Sequence, residues 1–163
     1  MNDQVFQIKR RHLPHIFVDG AVYFLTFCVL ETNLSEQEQE IVLEHIKTGV
    51  KYYVLLSVVV MPDHVHAVLI PKTGVFLSRV VKGIKGVSSR KINLQRGEHT
   101  EKFKWQDETY DRVLRNKAEL EQKIKYIYDN PAKKGFSKEG ATYKFWYFNN
   151  NYEEELKGMR VLL

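Results

Sequence analysis

Apolar residues run almost unbroken through 21–30 (AVYFLTFCVL) and again through 54–61 and 65–70. Runs of this length, rich in β-branched and aromatic residues, predict β-strands. The first is too apolar to be anything but central in its sheet. Pro62-Asp63 separates the other two, which predicts a hairpin closed off by Pro71-Lys72-Thr73-Gly74. Asp19-Gly20 is a turn signal ahead of the first strand.

Between these runs the period changes from two to about 3.6. Ile41, Val42, His45, Ile46 and Val50 form a helical stripe over 36–51. Ser35 followed three residues later by Glu38 predicts a capping box at its start. A second helix is predicted over 75–94, with Phe76, Leu77, Val80, Val81, Ile84 and Val87 facing the core. A third spans 117–129, with Leu120, Ile124 and Ile127 inward and Pro131 as its stop. Residues 103–114 read as a short strand or hairpin. The aromatic-rich stretch 136–163 carries no clear period.

The order β, α, β-β, α, β, α predicts an α+β fold: an antiparallel sheet of four to five strands with helices packed on one of its faces. The 163 residues suit one domain, with a core at about 10–135 and an aromatic extension at 136–163. A hydrophobic content of 44% beside 28% charged residues is that of an ordinary globular protein. The polar, basic start lacks the apolar core of a secretory signal, and no apolar run is long enough to span a bilayer. The expectation is a cytoplasmic protein. Cys28 is the single cysteine, which excludes an intrachain disulfide and a cysteine zinc knuckle.

The net charge of +5 leans toward an anionic partner. Its distribution matters more than its size. Arg79, Lys82, Lys85 and Arg90 fall within about 140° of one another around the second helix, with no acid between Arg79 and Gln95. That stripe, with Arg10 and Arg11 near the N-terminus, is a candidate contact for nucleic-acid phosphates. A solvated helix face is the plainer alternative.

The chemistry centres on Met61-Pro62-Asp63-His64-Val65-His66. In a strand, His64 and His66 project to one face while Val65 points to the other. Two neutral imidazoles side by side can bind one divalent ion. On the third helix Tyr126 and Asn130 are four residues apart and share a face, whereas Tyr128 lies about 200° around from Tyr126. Brought together, two imidazoles and an amide oxygen would suit Mg²⁺ or Mn²⁺ better than a closed zinc site. A tyrosine beside such an ion can act as a covalent nucleophile.

These residues resemble a known family. Met61-Pro62-Asp63-His64-Val65-His66 is similar to the His-hydrophobic-His (HUH) motif of single-tyrosine DNA transposases, and Tyr126-Ile127-Tyr128-Asp129-Asn130-Pro131 is similar to their catalytic helix. The segments Leu13-Pro14-His15 followed by the Gly20-Ala21-Val22-Tyr23-Phe24 strand, Trp105-Gln106 through Asn116, and Asn130-Pro131-Ala132-Lys133-Lys134-Gly135 resemble the REP-associated tyrosine transposases within that family. The resemblance implies an RRM- or ferredoxin-like HUH nuclease core. It also implies a metal-dependent endonuclease and strand transferase acting on single-stranded DNA with hairpin or palindromic repeats. Tyr126 would form a 5′-phosphotyrosine, and His64, His66 and Asn130 would hold the metal. Some relatives are homodimers that exchange the tyrosine helix, and others keep the site within one chain. Where the family often carries a Trp-Ser-Ser segment, this chain has Phe145-Trp146-Tyr147-Phe148-Asn149. Two other readings compete: a hairpin-binding regulator without transposition, needing only the basic helix, and a metal hydrolase that does not need Tyr126.

Overall fold

The computed structural model describes residues 18–158. Five strands are present: β1 (Val22–Cys28), β2 (Tyr53–Val60), β3 (His64–Pro71), β4 (Tyr110–Leu114) and β5 (Trp146–Phe148). They form one antiparallel sheet in the order β4-β1-β3-β2-β5. The helices are α1 (Glu36–Lys47), α2 (Leu77–Arg96), α3 (Lys117–Lys133) and α4 (Tyr152–Gly158). This is the α+β, five-stranded antiparallel architecture that the hydrophobic pattern predicts.

The helices do not share one face, as the sequence suggested. Val42, Leu43 and Ile46 of α1 and Val80, Ile84 and Ile92 of α2 pack with Tyr23, Leu25, Phe27, Val65, Ala67 and Leu69. Leu120 and Ile127 of α3 pack with Val22, Phe24, Val59, Val68 and Ile70, the alternate residues of the same strands. The sheet is thus buried on both sides, which explains why β2 and β3 read as continuous apolar runs without alternation. Each fully buried leucine, isoleucine or valine contributes about 1.5–3 kcal/mol of burial. Docking of α3 on its own sheet face is therefore strongly favoured.

Local signals set the element ends. Ser35 accepts from the Glu38 backbone N–H at 3.3 Å while the Ser35 N–H donates to the Glu38 carboxylate at 2.8 Å, completing the capping box. Burial opposes ionisation of Glu38, but hydrogen bonds from Arg96 and Ser35 outweigh it and hold the carboxyl below its ordinary range. The same Arg96–Glu38 pair ties the end of α2 to the start of α1. Gly97, at φ 83°, closes α2 in a conformation that side chains disfavour. The 3₁₀ turn Thr48–Lys51 finishes the segment predicted as the end of the first helix.

The structure corrects one expectation at α3 and shortens another before β4. Pro131 lies inside α3, which continues to Lys133. A proline so near the C-terminus removes a single backbone donor, and the last turn closes through the Lys134 N–H on the Asn130 carbonyl at 3.1 Å. Of the predicted 103–114 segment only Tyr110–Leu114 is a strand, with Trp105 in an isolated bridge to Val29.

Candidate active site

The turn between β2 and β3 is pinned from three sides. Met61 N–H donates to His64 O at 2.8 Å, Val29 N–H to Asp63 O at 2.8 Å, and Leu34 N–H to Pro62 O at 2.7 Å. His64 therefore enters β3 from an anchored turn, and the pleat places His66 on the same face. Their ring centroids are 4.6 Å apart. Both are buried, at 8% and 6% exposure, under α3.

The helix brings the rest. Asn130 is 3% exposed, and its Oδ1 lies 3.3 Å from Nε2 of His64. The Tyr126 ring meets His66 edge-on with centroids 5.2 Å apart. Phe24 stacks on His66 at 5.5 Å and meets Tyr126 at 6.0 Å, forming the apolar floor between them. Tyr128 points elsewhere, toward Trp146 and the Gly140 carbonyl. All four residues singled out in the sequence thus converge within one chain.

Two neighbours that the sequence did not single out orient the imidazoles. Asp63 Oδ1 lies 2.6 Å from Nδ1 of His64, and Thr26 Oγ1 lies 2.7 Å from Nδ1 of His66. With each Nδ1 engaged, each Nε2 is left for another partner. When His64 donates Nδ1–H to Asp63, its Nε2 lone pair faces the Asn130 carbonyl oxygen. Two acceptors aimed at each other repel unless a cation lies beside both. Burial first, then His64 and the Lys123 and Lys134 ammonium groups, push the His66 imidazole down to about 3, so at neutral pH it is an uncharged donor. The donor set fits a divalent ion. Among the described residues no group of three histidine, cysteine or carboxylate side chains is poised for a metal. An amide as third donor is therefore the arrangement on offer. Thr26 was hidden in an apolar strand. Asp63, adjacent to His64 in sequence, was a legible signal.

The basic stripe is placed differently. Arg79, Lys82 and Arg90 are exposed on α2, which covers the face of the sheet opposite His64 and His66. Arg79 sits 5.6 Å over the Tyr52 ring. Lys85 does not present a free charge: its ammonium donates to the carbonyls of Gln106, Asp107 and Glu108 at 2.9, 3.3 and 3.0 Å and holds that loop. Arg10 and Arg11 lie outside the described residues.

Comparison with known proteins decides the family. The model of IS200-like transposases matches residues 27–130, more than half of the chain, and spans both histidines, Tyr126 and Asn130. The chain belongs to the IS200-like transposase family. It is a single-tyrosine HUH transposase, as the motifs implied. A solved structure described as a REP-associated tyrosine transposase bound to a REP hairpin shares this transposase's fold. Its TM-score is 0.71 at 20% identity, over 89% of this chain and 87% of that one. A putative transposase from Deinococcus radiodurans aligns with TM-score 0.48 at 19% identity, over 71% of this chain and 95% of that one. No curated protein matches the sequence significantly. No described helix of the transposase is long and apolar enough to cross a membrane.

Proposed function

We propose that this transposase cuts and rejoins single-stranded DNA through Tyr126, with His64, His66 and Asn130 holding Mg²⁺ or Mn²⁺. The observation that carries the proposal is the convergence of one tyrosine, two imidazoles and one amide oxygen on a single buried face. The Tyr126 phenol oxygen attacks phosphorus, and the bond from phosphorus to the 3′ oxygen breaks. The phenol proton passes to solvent, and the departing oxygen gains one to become a 3′-OH. The 5′ end stays on Tyr126 as a phosphotyrosine, and attack by another 3′-OH reverses the step, so the phosphodiester energy is conserved. A bound divalent ion supplies Lewis-acid polarisation of the phosphoryl oxygens. His66 contributes a neutral donor at neutral pH, Phe24 keeps the phenol side of the site apolar, and Asn130 anchors the end of the tyrosine helix against His64. The fold likeness to a protein solved on a REP hairpin supports DNA with hairpin or palindromic repeats as the substrate.

The test mixes the chain with 5′- and 3′-labelled oligonucleotides copied from repeats flanking its gene, with Mn²⁺, on denaturing gels. A protein adduct carrying the label 3′ of the cut is expected, together with a free 3′-OH fragment. Binding without cleavage would favour a hairpin-binding regulator instead.

Thr26 and Asp63 supply a second check. Because each fixes a ligand imidazole, Thr26→Val and Asp63→Asn should each weaken Mn²⁺ binding by about 10- to 100-fold in a calorimetric titration. Wild-type affinity in both variants would mean that the two imidazoles do not hold the ion.

A further inference from the structure

Lysines are distributed unevenly around α3. Those on its outer surface are matched by acids: Lys117 with Glu121 and Glu153 at 3.7 and 3.1 Å, and Lys125 with Asp129 at 2.8 Å. The two that flank the tyrosine are not. Lys123, three residues before Tyr126, holds its ammonium 5.4 Å from the centroid of that ring and 4.6 Å from that of Phe24. Lys133, seven residues after, reaches the same ring at 5.9 Å. No carboxylate pairs with either ammonium among the described residues. The nearby acids are committed elsewhere: Asp63 to His64, Asp129 to Lys125 and Glu119 to Arg112.

Two ammonium groups held on one phenol ring repel each other, and their attraction to the ring is modest. Lys123 is half-buried, so it is also partly stripped of the water that usually stabilises such a charge. An anion bridging both groups at the phenol relieves this. We propose that Lys123 and Lys133 form a phosphate clamp that seats a DNA phosphodiester against Tyr126. The inference rests on the proposed function for the identity of the anion, and it assigns DNA contact to the α3 face rather than to the basic stripe of α2. In-line attack needs the phosphorus held close to the phenol oxygen, and two cations at the ring restrict where a phosphate can lie.

The test is sequence-independent and needs no chemistry. Binding of a fluorescent, mixed-sequence single-stranded 20-mer is followed by anisotropy in EDTA across a salt series. Each phosphate contact on a single strand contributes about 0.7 to the slope of log affinity against log salt. Lys123→Met with Lys133→Gln should lower the slope by about 1.4 and the affinity by roughly tenfold at moderate salt. Lys125→Gln, on the outer surface, should leave both unchanged. Because Lys123→Met could disturb packing on Phe24, Lys133→Gln alone is measured too and should lower the slope by about 0.7. An unchanged slope in the lysine variants overturns the clamp, as does an equal fall in Lys125→Gln or a wild-type chain that does not bind the 20-mer. Adduct formation with an unchanged slope would leave Tyr126 as nucleophile and remove only the clamp. A slope change without any adduct would do the reverse.

Discussion

Tyr126→Phe abolishes covalent attachment to DNA while leaving the chain folded and able to bind. The ring contacts with His66 and Phe24 survive the substitution, and none of the hydrogen bonds among the described residues uses the Tyr126 hydroxyl. Stability should therefore change by less than about 1 kcal/mol, within the range of near-isosteric changes at a half-buried site. Reactivity responds differently, because phenylalanine has no oxygen with which to form the phosphoryl bond. Adduct formation should fall by more than about 10⁴-fold, to the detection limit. The informative control is the mobility shift on the same oligonucleotide, which should persist. An adduct at undiminished yield in Tyr126→Phe would mean that another side chain attacks, or that the chain uses water and resembles a metal hydrolase.

Removing an imidazole should be nearly as damaging, by another route. His64→Ala takes away the donor that faces Asn130, and His66→Ala takes away the neutral donor beside the phenol. Each leaves two of the three proposed protein ligands. Mn²⁺ affinity should fall by at least about 100-fold, and the adduct rate at fixed metal by about 10³-fold or more. His66→Ala carries an added structural cost, because it opens a gap beside Phe24. His66→Gln, which fills the space, separates that loss from the loss of the ligand. Chelation of the wild type should reproduce the defect, and restoring Mn²⁺ should rescue the wild type but not the alanine variants. Full activity in EDTA would remove the metal from the mechanism.

Much of this site was legible because it rests on short-range periodicity. A period of two puts His64 and His66 on one face, and a period of 3.6 puts Tyr126 and Asn130 on another; the fold brings the two faces together. What sequence could not say is which sheet face each helix would take. In β2 and β3 both faces are apolar, so nothing in the pattern assigns α1 and α2 to one side and α3 to the other. Sequence alone therefore left open where the basic stripe of α2 stands relative to the chemistry, and it lies across the sheet from it. The partners of Lys85 were hidden for a related reason: the carbonyls of Gln106, Asp107 and Glu108 that bind it come from a loop with no periodic signal. Thr26 shows a third limit, since its partner His66 is 40 residues away and is set only by the β1–β3 register. Lys123 and Lys133 were within reach, because helical spacing alone sets both beside Tyr126.

The most direct test is to locate the bond itself. A single-stranded substrate with its 3′-OH fragment free to diffuse away traps the intermediate. Nuclease and trypsin treatment followed by tandem mass spectrometry then finds the residue that carries the nucleotide. The expected result is a nucleotide mass on Tyr126, in the peptide that ends near Lys133, formed only when divalent metal is present. The same mass on Tyr128 or Tyr110, or a cleaved substrate with no modified tyrosine, would contradict the assignment of Tyr126 as the nucleophile.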